Sequence, residues 1–188
     1  YPYLKEHIRS GMPTYIPVPE HKRKASSDLI MTSYKVNVQI HSRSANCKWL
    51  TEIFHNNPAL LNPATAKRFG VRNGDLVRIT QSDVNQHRTK ERSIVTKVRL
   101  TEGIHPEVVA VSYHMGHWAY GRYASGEAVF PKQKDGEWIW WQKGKRQKSP
   151  IKWDEAKGVH PNWIIPNAPD PVSGQWRSND TVVKIQKA

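Results

Sequence analysis

Residues 41–46 read "HSRSAN", and five of the six side chains there can donate hydrogen bonds or carry positive charge: His41, Ser42, Arg43, Ser44 and Asn46. Lys48 follows closely, with Trp49 beside it as a core or contact residue. Hydroxyl, amide and guanidinium groups gathered in one loop, with backbone N–H groups among them, are the chemistry that grips a polar or phosphorylated ligand. The competing reading is an ordinary polar turn in which Arg43 serves a structural carboxylate. A second cluster, "YHMGHWAYG" at 113–121, contains His114, His117 and Trp118. Its spacing is loose and no third ligand or acidic partner lies near in sequence, which argues against a structural zinc. Gly116 and Gly121 instead suggest backbone passing close to another group. Asn162 in "HPNWIIPNAPDP" can both donate to and accept from a heterocycle edge, although asparagine also simply favours turns. Arg177 and Asn179 in "SGQWRSND" complete the set. No Ser-His-Asp order, paired carboxylates or phosphate-cradling glycine loop stands out. The chain by itself is therefore expected to bind rather than to catalyse.

The elements that must position these groups are short. "SYKVNVQIHS" alternates Tyr34, Val36, Val38 and Ile40 with polar residues and predicts a half-buried strand leading into the donor loop. "WLTEIF" predicts a short element after it. In "NPATAKRFGVRNGDLVRI", 62–79, Asn62 is a good N-cap and Pro63 suits the first helical position. Gly70 supplies a left-handed stop, Val71 is placed to pack back near Ala66, and Asn73-Gly74 turns the chain into a strand. Further strands are expected at 93–100, 107–113 and 181–186. Many short strands with one small helix indicate a β-barrel or compact all-β domain. Residues 1–32, with Pro2, Pro13, Pro17 and Pro19, read as an extended arm, and about 131–160 as a basic, Trp-rich insertion that docks on something.

A chain of 188 residues is about the size of one domain. Its formal net charge of +13 attracts polyanions, an acidic partner or a ligand with several phosphates. One cysteine, Cys47, excludes an internal disulfide and any thiolate cage made by this chain alone. The apolar runs are far below the roughly 20 residues a membrane-crossing helix needs. The start lacks the profile of a secretion signal, and the sequence reads as a processed chain, a fragment or the visible part of something longer.

Four segments, "IHSRSANCKWLTEI" at 40–53, "NPATAKRFGVRNGDLVRI", "TEGIHPEVVAVSYHMGHWAYG" at 101–121 and "NWIIPNAPDPVSG" at 162–174, resemble in order and spacing the C-terminal dinucleotide-binding domain of the dimethyl sulfoxide reductase family of molybdenum or tungsten enzymes. The similarity covers about residues 33–188, and "GHWAYG" looks closest to the respiratory arsenate and tetrathionate reductase branch. The resemblance implies a mainly β fold, a six-stranded double-psi β-barrel with short helices, that clamps one half of a molybdenum or tungsten bis(molybdopterin guanine dinucleotide) cofactor. By this analogy His41, Ser42, Arg43, Ser44, Asn46, Lys48, His117, Trp118, Asn162, Arg177 and Asn179 contact the cofactor. The metal ligand, the iron-sulfur cysteines and most substrate contacts belong to earlier domains. The implied partners are those domains, an iron-sulfur electron-transfer subunit, plus a membrane anchor subunit, on the outer face of the cytoplasmic membrane in anaerobic respiration. Two other functions compete. A cofactor-free structural relative would keep the fold and lose the site. A nucleic-acid binder would use the tryptophans at 138–141 amid Lys and Arg to stack bases.

Overall fold

The computed structural model describes residues 15, 17–54, 56–85, 92–114, 132–134, 137–139, 159, 161–170 and 173–188. The expected arm over 1–14, most of the expected insertion, His117, Trp118, Gly116 and Gly121 lie outside the described residues. Backbone contacts divide the chain into two compact units. One comprises Tyr1–Ser33, Ala59–Val111 and Pro161–Ala188, the other Tyr34–Pro58 and Ser112–His160.

The first unit is organised by the joint at 62–79. The Asn62 side chain accepts a hydrogen bond from the Ala64 N–H at 2.9 Å, capping helix α3 (Pro63–Arg68) as a side-chain oxygen at this position should. The helix stops because Gly70 adopts φ 65°, which costs a residue without Cβ nothing. Val71 N–H then donates to Ala66 O at 2.9 Å and Gly70 N–H to Lys67 O at 3.2 Å, a paired closure that satisfies two otherwise open helix carbonyls. Gly74, at φ 88°, turns the chain and donates to Val98 O at 2.8 Å, which launches β3 (Leu76–Gln81) beside β4 (Ser93–Leu100).

Six strands close a barrel in the order β1 (Leu29–Tyr34), β5 (Val108–Ser112), β2 (Ala59–Leu61), β4, β3 and β8 (Thr181–Lys187). β2 and β4 run parallel, while β3 pairs antiparallel with both β4 and β8. The register places Ile79 opposite Ile94 on one side and Ile185 on the other, all three buried. Alternation along β3 and β4 turns Val77, Ile79, Ile94 and Val98 inward and Arg78, Val95 and Lys97 outward. Leu29, Leu61, Val109 and Val182 add to the same core, each worth about 1.5–3 kcal/mol of burial. Several buried polar groups at the barrel ends bond to backbone. Asn85 donates to Val182 O at 2.6 Å and accepts from Val182 N–H at 2.9 Å, and Gln81 donates to Ile164 O at 2.6 Å.

The expected barrel with short helices is observed, but the strand expected at 34–40 is displaced. β1 occupies 29–34, beginning inside the stretch read as arm, and helix α1 (Pro19–Arg23) precedes it. Residues 35–40 form a turn in which Gln39 is buried and Ile40 exposed, the reverse of the expected phase. Within the insertion, β6 (Lys132–Lys134) and β7 (Glu137–Ile139) form an antiparallel pair. Among the described residues no helix is long and apolar enough to cross a membrane.

Candidate functional site

The donor loop lies in the second unit and is wound into a 3-10 helix, His41–Asn46, followed by helix α2 (Lys48–Ile53). Its shape is set from inside by Ser44 and Gln39. The Ser44 hydroxyl accepts from the Ile40 N–H at 2.8 Å and donates to the Gln39 side-chain oxygen. The Gln39 amide in turn donates to Leu50 O at 3.2 Å and Phe54 O at 2.9 Å, fastening the loop to α2 and to the residue that ends it. With these bonds made inward, His41 and Arg43 are exposed and Ser42 is half-buried, so the loop presents a ring nitrogen, a guanidinium and a hydroxyl outward. Asn46 and Lys48 belong to the same backbone run, but their side chains lie outside the described residues. His41 takes φ 48°, sparsely populated for a side-chain-bearing residue, which is typical of positions held by surrounding structure.

A second layer supports this loop. The His41 ring stacks on Tyr113, centroids 6.0 Å apart with planes inclined by 26°. Next to Tyr113, His114 is 1% exposed and has both ring nitrogens engaged, Nδ1 with the Ser112 hydroxyl at 2.7 Å and Nε2 with the Asn56 carbonyl at 2.8 Å. Because a carbonyl only accepts, Nε2 carries the proton and Nδ1 is the acceptor in the neutral ring. Burial pushes the His114 pKa down to about 4, against the opposing pull of the Asn56 carbonyl. Phe54 meets the ring edge-on at 5.1 Å. Asn57 closes the arrangement by donating to Ser112 O at 2.5 Å and accepting from Ser112 N–H at 3.1 Å. His114 is thus a neutral tie between two backbone segments. Among the described residues no group of three or more His, Cys, Asp or Glu could hold a metal ion.

The remaining sequence-predicted residues that the structure describes lie in the barrel unit. Asn162 is exposed on the 3-10 turn Pro161–Trp163, where Arg92 covers the Trp163 ring at 4.4 Å. Asn179 accepts from the Ser33 N–H at 2.9 Å and the Ser33 hydroxyl at 2.6 Å, capping the end of β1. Arg177 approaches the buried Glu20 of α1 at 3.5 Å. These last two side chains hold the barrel's own groups. Sequence reasoning passes over Gln39, Tyr113 and Asn57, whose importance rests on partners distant in the chain. No local signal points to Gln39, which falls on the polar phase of the alternation.

Comparison with known proteins bears on family and fold. Residues 29–182 match the family described as molydopterin dinucleotide binding domain. The chain is similar to the molybdopterin-containing subunit of arsenate respiratory reductase from Shewanella sp. (strain ANA-3), 36% identical over 107 residues, which is 53% of this chain and 12% of that protein. It is also similar to a selenate reductase subunit of Mesobacillus selenatarsenatis, 29% identical over 195 aligned positions, 95% of this chain and 17% of that protein. Among solved structures, acetylene hydratase from Pelobacter acetylenicus superposes with a TM-score of 0.53 at 14% identity, over 85% of this chain and 18% of that one, and so shares the fold. The chain spans less than a fifth of the length of each of these relatives. With more than half of its residues inside that family match, the chain belongs to the molybdopterin dinucleotide-binding domains of molybdoenzymes of the dimethyl sulfoxide reductase family.

Proposed function

We propose that the chain is the cofactor-gripping domain of a larger catalytic polypeptide, a molybdenum or tungsten reductase acting on a small oxyanion or sulfur compound. When bound, a bis(molybdopterin guanine dinucleotide) would supply the two-electron redox centre and the site of oxygen or sulfur exchange. The residues of this chain would bind and orient it. The outward set of His41, Ser42 and Arg43 fits a ligand of this kind, because a guanidinium pairs with pyrophosphate oxygens while imidazole and hydroxyl groups serve pterin nitrogens and carbonyls. Asn46, Lys48, His117, Trp118 and Asn162 are proposed as further contacts. Ser44 would act through loop shape, since its hydroxyl is committed inward. Arg177 and Asn179 would serve the frame that carries the other contacts.

The observation that carries this reading is the coincidence of the family match with a loop whose internal bonds leave its cationic and neutral donors facing out. Names of the matched relatives support arsenate or selenate as the substrate class. A membrane anchor, an outer-face location and an iron-sulfur electron-transfer subunit complete the proposal as a respiratory complex. The test is elemental and fluorescence analysis of the purified intact enzyme. Molybdenum or tungsten together with a fluorescent oxidised pterin is the expected result. Neither metal nor pterin in a fully assembled preparation would instead identify a structural relative that has lost its site.

A further inference from the structure

Helix α1 meets the barrel through Glu20, and the contact is incomplete. The Glu20 side chain is only 4% exposed, and its Oε1 lies 3.5 Å from Arg177 Nη2, too far for a strong charge-assisted bond. Three buried polar atoms here have no hydrogen-bond partner: Glu20 Oε2, Arg177 Nε and Thr181 Oγ1. Leaving them so is costly, because a buried ion pair offsets its desolvation only when its remaining donors and acceptors are satisfied. All three residues line one cavity of about 10 Å3, whose wall is completed by Asn85, Pro166, Ala168 and Asp180.

We propose that this cavity is a built hydration site that binds a single water molecule, and that this water completes the attachment of α1 to the barrel. The volume is enough for one water centre. The polarity also matches. Arg177 Nε–H donates to the water oxygen, one water proton goes to Glu20 Oε2, and the Thr181 hydroxyl takes the third bond. Three partners are typical of a buried water. The water bridge joins α1 to the residues that open β8, where His21 Nε2 also bonds the Asp180 carbonyl at 3.0 Å and Arg23 donates to Val84 O at 3.1 Å. The segment entering the barrel is thereby pinned by three kinds of contact, one of them made through water.

The experiment is diffraction to about 1.5 Å from the intact polypeptide that contains this domain, paired with oxygen-17 relaxation dispersion to detect long-lived internal water. The expected result is one ordered water within hydrogen-bond reach of Glu20 Oε2, Arg177 Nε and Thr181 Oγ1. In Thr181→Val, nearly the same shape without the hydroxyl, its residence time should fall about fivefold, the factor one hydrogen bond carries. A dry cavity, a direct Glu20–Arg177 bond that closes the space, or a cofactor atom seated there would each overturn the proposal. If Thr181→Val does not fold, the density in the unaltered protein decides the matter alone.

Discussion

Acidification should loosen the scaffold of the donor loop through one residue, His114. The ring is buried, donates from Nε2 to Asn56 O, and has its pKa held down from 6.5 to about 4 by desolvation. As pH falls below 6.5 the unfolded chain takes up this proton first, while the folded chain resists until about 4. The stability tied to neutral His114 is therefore fully present above 6.5 and is lost progressively as the pH drops toward 4. At about 1.4 kcal/mol for each pH unit the full gap is worth about 3 kcal/mol, and local opening to water reduces the realised loss to about 2 kcal/mol. That is a large share of the 5–15 kcal/mol typical of a domain. Urea unfolding of the 188-residue chain at pH 7.5, 6.5, 5.5 and 4.5 measures it, run beside His114→Gln, whose amide can donate to Asn56 O but does not titrate. The unaltered chain should lose about 2 kcal/mol more than the variant across that range, which isolates His114 from the other histidines. Parallel curves for the two chains, or an imidazole that titrates near 6.5 by NMR, would refute the reasoning.

Other perturbations probe the frame and the loop separately. Gly70→Ala meets nothing within 4 Å, yet its φ of 65° should cost about 1–2 kcal/mol, read as a lower urea midpoint with an unchanged slope. Asn85→Ala takes the acceptor from Val182 N–H and leaves Val182 O with only the Ser82 N–H, and should cost about 1–3 kcal/mol in the same measurement. Arg43→Ala alters an exposed side chain and should leave stability within about 0.5 kcal/mol. In the intact enzyme the same change should lower the pterin recovered per polypeptide. A loss of stability without a loss of pterin would make Arg43 structural.

How much of the fold is legible in the sequence depends on how local each signal is. The joint at 62–79 can be read residue by residue, because an N-cap, a positive-φ glycine and an Asn-Gly turn each act within a few positions. The strands at 93–100 and 181–187 are legible because one inward face gives a two-residue period. β1 escapes such a reading because "LIMTSY" ends in polar residues and follows a charged stretch, while the adjacent alternation at 34–40 imitates a strand. Gln39 keeps the polar phase of that alternation yet is buried, for a reason no period contains: its side chain serves the Leu50 and Phe54 carbonyls and the Ser44 hydroxyl. The fates of Arg177 and Asn179 are similarly hidden, since Glu20 and Ser33 stand near the other end of the chain. The donor loop can be located from composition alone. Which of its members face outward cannot, because a hydroxyl that braces a loop and one that meets a ligand are the same residue type in sequence.

The most direct measurement is a structure of the intact catalytic polypeptide purified with its metal and pterin. Arg43 and His41 should lie within hydrogen-bond reach of the dinucleotide, with Ser44 still turned in upon Gln39. A pterin held elsewhere, with residues 41–46 facing bulk water, would contradict the assignment of this loop.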